Sequence, residues 1–133
     1  ALVVVNPALQ PCFRNCMKQQ GAMLAKGRLL GVQFDTILRE GLYLELASQA
    51  NRQAKRLASG LESRGIPLLV PAESNQVFPV FPDGAVAALG EHVEFEVERK
   101  IDPSHTCIRF VTAWHTAEED VDALLELTGR LIK

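Results

Sequence analysis

The sequence predicts an α+β domain with a small, mostly antiparallel sheet. Apolar residues recur at helical spacing up to about residue 64, and the pattern then changes to short or alternating apolar runs. Of the 133 residues, 47% are hydrophobic and 23% are charged, so the chain can form one domain with a packed core and is neither disordered nor a coiled coil. No apolar run approaches the ~18 residues of a membrane span, so no membrane association is expected.

The first 40 residues predict a strand and a helix. The opening ALVVVNP is typical of a buried strand ended by proline, and with no partner strand nearby it is expected to be the last strand of a larger sheet. A helix is predicted from Met23 to Arg39. Its apolar face comprises Leu30, Phe34, Ile37 and Leu38.

A second, longer helix is predicted from its apolar stripe. The stripe begins at Leu42 and reaches Leu61 in steps of four, four, four, three and four residues. Gly65 follows at the position where a glycine commonly ends a helix.

Four strands and two helices are predicted after Gly65. The strands are IPLLVPA, NQVFPVF, VEFEVER and TCIRFVTAW. Pro79 weakens the second strand because proline cannot donate to a ladder, which predicts an edge or a bulge there. In the third strand, Val93, Phe95 and Val97 are expected to face the core. A short helix is predicted in DGAVAALGEHV.

The last predicted helix begins at a capping box of Thr116 and Glu119. Its apolar positions are Val121, Leu124, Leu125 and Ile132. Arg130 and Lys133 lie where the helix dipole favours cations.

Charge is distributed unevenly along the chain, although the net charge is only −2. Residues 14–56 hold eight Lys/Arg against three Asp/Glu, whereas residues 57–133 hold six against thirteen. The basic first third either faces an anionic partner or pairs with the acidic remainder. Three cysteines form an odd and sparse set, which favours a reducing, cytoplasmic setting.

Several familiar chemical sites are not indicated by the sequence. The three histidines have no Ser or Cys in a strained elbow motif, so no hydrolase is predicted. Glycines 21, 27 and 31 match neither GxxxxGK nor GxGxxG. Cysteines 12, 16 and 107 lack the paired spacing of zinc ligands, and no metal is expected.

Lys18 is the first candidate binding residue. With Arg14, Lys26 and Arg28 it surrounds a predicted helix start marked by glycines, where backbone N–H and ammonium groups together could hold a phosphate. The simpler alternative is a solvated basic helix face.

Arg109 is the second candidate. It lies in a predicted strand between Ile108 and Phe110, so its side chain points to the opposite face from theirs. The planar guanidinium suits two-pronged binding of a carboxylate, which belongs either to an Asp or Glu of the same fold or to a small substrate.

Much of the chain closely resembles the C-terminal third of low-specificity L-threonine aldolases, in the β-eliminating lyase group of fold type I pyridoxal-phosphate enzymes. The segments that carry the resemblance are FRNCMKQQGAMLAKGRLLGVQFDTILREGLYLELA, SNQVFPVFP, FEVERKID and TCIRFVTAWHTAEEDVDALL. It implies the C-terminal small domain of such an enzyme, preceded by the last strand of the large domain. Residues 1–20 would end the cofactor-binding domain, 21–64 would be bridging helices, and 65–133 would be the small domain.

The resemblance also implies roles for the two candidate residues. Arg109 matches the family arginine that holds the α-carboxylate of the amino-acid substrate. Lys18 lies where family members have a basic residue, often Arg, that reaches the pyridoxal phosphate of a neighbouring subunit. The lysine that forms the internal aldimine is expected upstream, so no catalytic residue is expected within this segment. A cytoplasmic homo-oligomer, dimeric or tetrameric, is implied for the full-length enzyme.

Two functions are therefore considered. The resemblance implies a pyridoxal-phosphate-dependent carbon–carbon lyase that cleaves threonine-like β-hydroxy-α-amino acids to glycine and an aldehyde, with the 133-residue segment inactive alone. A related lyase that removes a β-substituent uses the same carboxylate contact. The alternative is a non-catalytic α+β interaction domain with an anion-facing basic first third. Nucleic acid is not expected as its partner, because the chain is acidic and the basic region lacks interleaved aromatics.

Overall fold

The chain divides into two compact units, Ala1–Tyr43 and Leu44–Lys133, and the computed structural model describes residues 2–132. The first unit contains a 3₁₀ turn, Pro7–Leu9, and two helices, α1 (Phe13–Gln19) and α2 (Arg28–Leu38), followed by a second 3₁₀ turn, Arg39–Gly41. No helix within the described residues is both long and apolar enough to cross a membrane.

The predicted opening strand is not formed within the described residues. Residues 2–6 form no strand, and Leu2, Val3 and Val5 are 73%, 81% and 83% exposed. A strand requires a hydrogen-bonded neighbour, and residues 7–43 supply only helices and turns. A β-branched run is therefore not sufficient for a strand. Its membership of a larger sheet requires strands beyond those described here and stays a prediction.

The helix predicted from Met23 begins five residues later than expected. Gly27 precedes its first residue, Arg28, and Leu38 is its last. Helix α1 was not predicted, because its seven residues offer too few apolar positions to establish a period. The predicted apolar face of α2 is largely uncovered, since Leu30, Phe34 and Leu38 are all exposed.

The long helix α3 (Leu42–Glu62) confirms the prediction and ends as expected at Gly65. Gly65 has φ +78°, the left-handed conformation that favours glycine. Its N–H donates to the Glu62 carbonyl at 2.9 Å, and the Ile66 N–H donates to the Leu61 carbonyl at 3.1 Å. This pair of bonds satisfies the last carbonyls of the helix.

The second unit contains a four-stranded antiparallel sheet with β4 (His105–Val111) at its centre. Strands β1 (Gln76–Val77) and β2 (Val80–Pro82) pair along one side of β4, and β3 (Glu96–Asp102) pairs along the other. Pro79 lies between β1 and β2, which keep one register against β4 and pair with no other strand among the described residues, so the predicted edge position is found and the alternative bulge is not. The predicted strand IPLLVPA is wrong: Leu68 makes only an isolated bridge to Pro79, because two prolines interrupt the segment.

Helices α3, α4 (Asp83–Leu89) and α5 (Glu118–Leu131) pack on one face of this sheet. The largest fully buried apolar side chains are Phe81, Leu57, Leu61, Leu89, Ile108 and Val77. The α+β prediction and the short helix at 83 are confirmed. Val97, however, is 62% exposed although the alternation placed it in the core, because β3 is an edge strand whose seven residues are all exposed.

Thr116 does not cap α5 as predicted. Its Oγ1 accepts a hydrogen bond from the Ala113 N–H at 2.9 Å, while the Asp120 carboxylate accepts one from the Ala117 N–H at 3.1 Å. The helix consequently begins one residue later. Val121 and Leu125 face the core as expected, and Lys133 lies outside the described residues.

Candidate functional site

Arg109 occupies the central strand of the sheet. Ile108 and Phe110 on either side of it are buried, at 0% and 7% exposed, whereas the Arg109 side chain is one-third exposed. Successive residues of a strand point to opposite faces, so the guanidinium lies on the sheet face away from the helices. The strand thus holds the base of Arg109 rigidly and leaves its charged end accessible.

The guanidinium of Arg109 is only partly paired within the fold. Its Nη1 lies 3.1 Å from Oε1 of Glu98, and its Nε is buried with no hydrogen-bond partner among residues 2–132. Arg56, by contrast, donates from Nε and Nη2 to the two carboxylate oxygens of Asp122 at 3.0 and 2.8 Å. The sequence left open whether Arg109 pairs with an acidic residue of the same fold or with a substrate carboxylate. The structure shows a partner within the fold, Glu98, and leaves other N–H donors of the guanidinium unpaired within the described part of the chain.

A cleft of about 660 Å³ lies where β4 extends beyond the first residue of β3. Its apolar lining includes Phe95, Phe110, Val121 and Leu124, and Arg109 and Glu96 also contribute to it. The rings of Phe95 and Phe110 meet edge to face at 6.2 Å. This volume is within the range of small-molecule sites.

Lys18 lies in the first unit, in the last turn of α1. The helix start predicted near Met23 lies instead at Arg28, next to Lys26 and ten residues after Lys18. Helix α1 contains Arg14 and Lys18 and no acidic residue. Lys18 and Arg109 therefore belong to different units, and the role of each toward a ligand stays a prediction.

A polar cluster at the β3–β4 turn was not predicted from the sequence. Asp102 accepts hydrogen bonds from the backbone N–H of Ser104 at 2.7 Å and of His105 at 2.8 Å. The Ser104 backbone bond and the His105 side-chain bond lower the pKa of Asp102 to about 2. Ser104 Oγ and the Asp102 carboxylate both contact His105 Nδ1, whereas a serine-hydrolase relay uses both ring nitrogens. These hydrogen bonds therefore stabilise the β3–β4 turn.

The cysteines do not form a metal site in the described structure. Cys12 and Cys16 are exposed and Cys107 is buried, where burial raises the pKa of its thiol. Among residues 2–132, no group of three or more His, Cys, Asp or Glu side chains could hold a metal ion.

The sequence did not predict Glu98 as the partner of Arg109. Three glutamates alternate along VEFEVER, and nothing local distinguishes one from the others. Glu96 is the direct cross-strand partner of Arg109, yet the ion pair is made by Glu98, and only the placement of the side chains distinguishes the two.

Comparisons with known proteins identify relatives of this chain. The structure matches a threonine aldolase from Leishmania major with a TM-score of 0.89 and 35% identity, over 98% of this chain and 38% of that one. A low-specificity L-threonine aldolase from Pseudomonas aeruginosa is 32% identical over 90 residues, which are 67% of this chain and 26% of the relative. A serine palmitoyltransferase from Sphingomonas wittichii, at 20% identity and TM-score 0.53 over 63% of this chain and 23% of that one, shows the fold alone. No protein-family model matches.

These matches confirm the resemblance and the predicted fold, which is the α+β fold found in fold type I pyridoxal-phosphate enzymes. The chain spans about a quarter of the length of the curated relatives that it matches. With one relative agreeing in structure over nearly the whole chain and others in sequence over two thirds of it, the chain belongs to the low-specificity L-threonine aldolase family.

Proposed function

We propose that this chain is the C-terminal portion of a longer pyridoxal-phosphate-dependent lyase that cleaves threonine-like β-hydroxy-α-amino acids to glycine and an aldehyde. The observation that carries the proposal is the partly paired guanidinium of Arg109 on the central strand, in a chain 35% identical to a threonine aldolase. The non-catalytic interaction domain is not favoured, because the match extends over 98% of the chain.

Arg109 is proposed to bind the α-carboxylate of the substrate. A guanidinium binds a carboxylate through two parallel, charge-assisted hydrogen bonds, which fix both position and rotation. Holding the carboxylate determines which bond at the substrate Cα is presented for cleavage, and such positioning lowers the barrier by removing rotational freedom before the reaction.

Lys18 is proposed to contact the phosphate of pyridoxal phosphate bound by a neighbouring subunit. The donor set fits this anion, since α1 presents two basic side chains and no acidic one. The compact ammonium group of a lysine can neutralise phosphate charge, although it lacks the two-pronged hydrogen bonding of an arginine guanidinium. When bound, the cofactor supplies the electron sink for bond cleavage at Cα.

The arrangement proposed for the full-length protein follows from these roles. Residues 1–20 would complete the cofactor-binding domain, 21–64 would bridge the domains, and 65–133 would form the small domain that carries Arg109. The enzyme is proposed to be a homo-oligomer, because the role proposed for Lys18 requires the cofactor of a neighbouring subunit. It is proposed to be cytoplasmic, because its three sparse cysteines favour a reducing setting.

Replacing Arg109 tests the proposal directly. In the full-length protein, Arg109→Met should lower kcat/KM for threonine by about 30-fold or more, because truncating one partner of a charge-assisted pair costs roughly 2–5 kcal/mol. Arg109→Lys retains the positive charge but not the planar guanidinium, so its kcat/KM should lie between those of the wild type and Arg109→Met. Pyridoxal phosphate affinity, measured by absorbance titration, should not change.

Arg130 supplies the matched control, because it is an exposed arginine in the last turn of α5. Arg130→Met removes the same charge and should leave kcat/KM near the wild-type value. Equal kinetics for the Arg109 and Arg130 variants would contradict the proposal and leave Arg109 as a partner of Glu98 only.

A further inference from the structure

Glu98 occupies an irregular position in the sheet. Val97 pairs with Ile108 and Arg99 pairs with Cys107, so Glu98 is the extra residue of a β-bulge. In a regular ladder Glu98 would lie directly opposite Cys107. The bulge gives that position to Arg99 and leaves Glu98 without a cross-strand partner.

Glu98 lies at a terminal nitrogen of the Arg109 guanidinium. Oε1 of Glu98 lies 3.1 Å from Nη1, and both side chains are one-third exposed. Glu96 is the direct cross-strand partner of Arg109 and is also exposed. One cation is thus accompanied by two carboxylates, while Arg99 lies farther along the ladder, opposite Cys107.

This electrostatic environment discriminates between ligands by their number of carboxylates. A ligand with one carboxylate can share the N–H donors of Arg109 that Glu98 does not use. A second carboxylate on the same ligand meets Glu98 and Glu96, and like charges in close proximity at a protein surface oppose each other strongly enough to change affinity about tenfold.

We infer that Glu98, through its ion pair with Arg109, is a specificity-determining residue that excludes amino acids carrying a second carboxylate. The inference rests on the proposed function, because it takes Arg109 as the α-carboxylate contact. It adds a residue that limits the charge of the side chains the substrate can carry. Rejecting an unwanted ligand by a like charge is a general route to specificity.

The test compares two amino acids that differ by one carboxylate, L-alanine and L-aspartate, as ligands of the full-length protein. Dissociation constants are measured by calorimetry, and inhibition constants are measured against threonine cleavage. Glu98→Gln should improve aspartate binding relative to alanine by about tenfold. Glu98→Asp, which retains the charge, should keep the wild-type ratio.

Glu126 provides the matched control, since it is an exposed glutamate on α5. Glu126→Gln changes the net charge equally and should not alter the aspartate-to-alanine ratio. Thermal unfolding of each variant establishes that it is folded before binding is compared.

The outcomes separate this inference from the proposed function. If Arg109→Met weakens both ligands but Glu98→Gln leaves their ratio unchanged, the inference is overturned and the role of Arg109 stands. If Glu98→Gln weakens both ligands equally, Glu98 only orients Arg109, which also overturns the inference. If Arg109→Met changes neither dissociation constant, the proposed function itself fails.

Discussion

Gly60 of helix α3 packs against the Leu125 side chain of helix α5, and adding one methyl group there should destabilise the fold. A Cβ built at Gly60 would overlap Cδ1 of Leu125 and lie 2.7 Å from its Cδ2. Leu125 is only 6% exposed and belongs to the core. Replacing glycine by alanine inside an open helix contributes roughly 0.5–1 kcal/mol of stability, but overpacking of a filled core costs typically 1–3 kcal/mol. Gly60→Ala should therefore lose about 1 kcal/mol of unfolding free energy, the difference between the middles of these two ranges.

Gly84 is the matched control for this prediction. It lies in helix α4, and a Cβ there would meet nothing within 4 Å. Gly84→Ala should leave the unfolding free energy unchanged or raise it by up to about 1 kcal/mol. Equilibrium urea unfolding followed by circular dichroism measures both variants. Equal stability of the two would refute the argument, because it would show that Leu125 moves aside at no cost.

Three further predictions concern titration, the cofactor and the isolated chain. The pKa of Asp102 is lowered to about 2 from an ordinary 3.8, so the stabilisation by its carboxylate is complete above about pH 3.8 and is lost as the pH falls toward 2. Asp102→Asn should therefore remove the loss of stability between pH 3.8 and 2 from the acid-unfolding curve. An unaltered curve would contradict the lowered pKa of Asp102. Lys18→Met in the full-length protein should weaken the binding of pyridoxal phosphate, measured by absorbance titration. Lys55→Met, which changes an exposed lysine on α3, should not weaken it. Equal affinities of the two variants would show that Lys18 lies on a solvated helix face. The 133-residue chain mixed with pyridoxal phosphate and threonine should release no acetaldehyde, and turnover by this segment alone would disprove its dependence on an upstream lysine.

Elements whose signals are local were predicted well from the sequence. The stripe from Leu42 to Leu61 and the left-handed glycine at Gly65 concern residues within one or two helical turns, and α3 follows them closely. The interruption at Pro79 is equally local, since it follows from the missing N–H of one residue. The family resemblance required only the order of residues along the chain.

Elements that depend on partners distant in sequence were predicted poorly. The β-branched opening segment forms no strand among the described residues, because a strand exists only with a neighbour. Val97 alternates correctly with Phe95, yet its strand lies at the sheet edge, where it is exposed. Thr116 has a side chain that could cap a helix, but its hydroxyl oxygen accepts a hydrogen bond from the Ala113 N–H instead.

The candidate site shows the same division. Its sequence alone determined that Arg109 is a cation in a buried strand, directed away from its apolar neighbours, because alternation along a strand is a property of the local backbone. Only the tertiary structure decided which of several glutamates approaches it, because the register between β3 and β4 places Glu96 opposite Arg109 and leaves Glu98 close enough to form the ion pair. Register depends on how two strands fit one core and one turn, so no residue pattern within either strand specifies it.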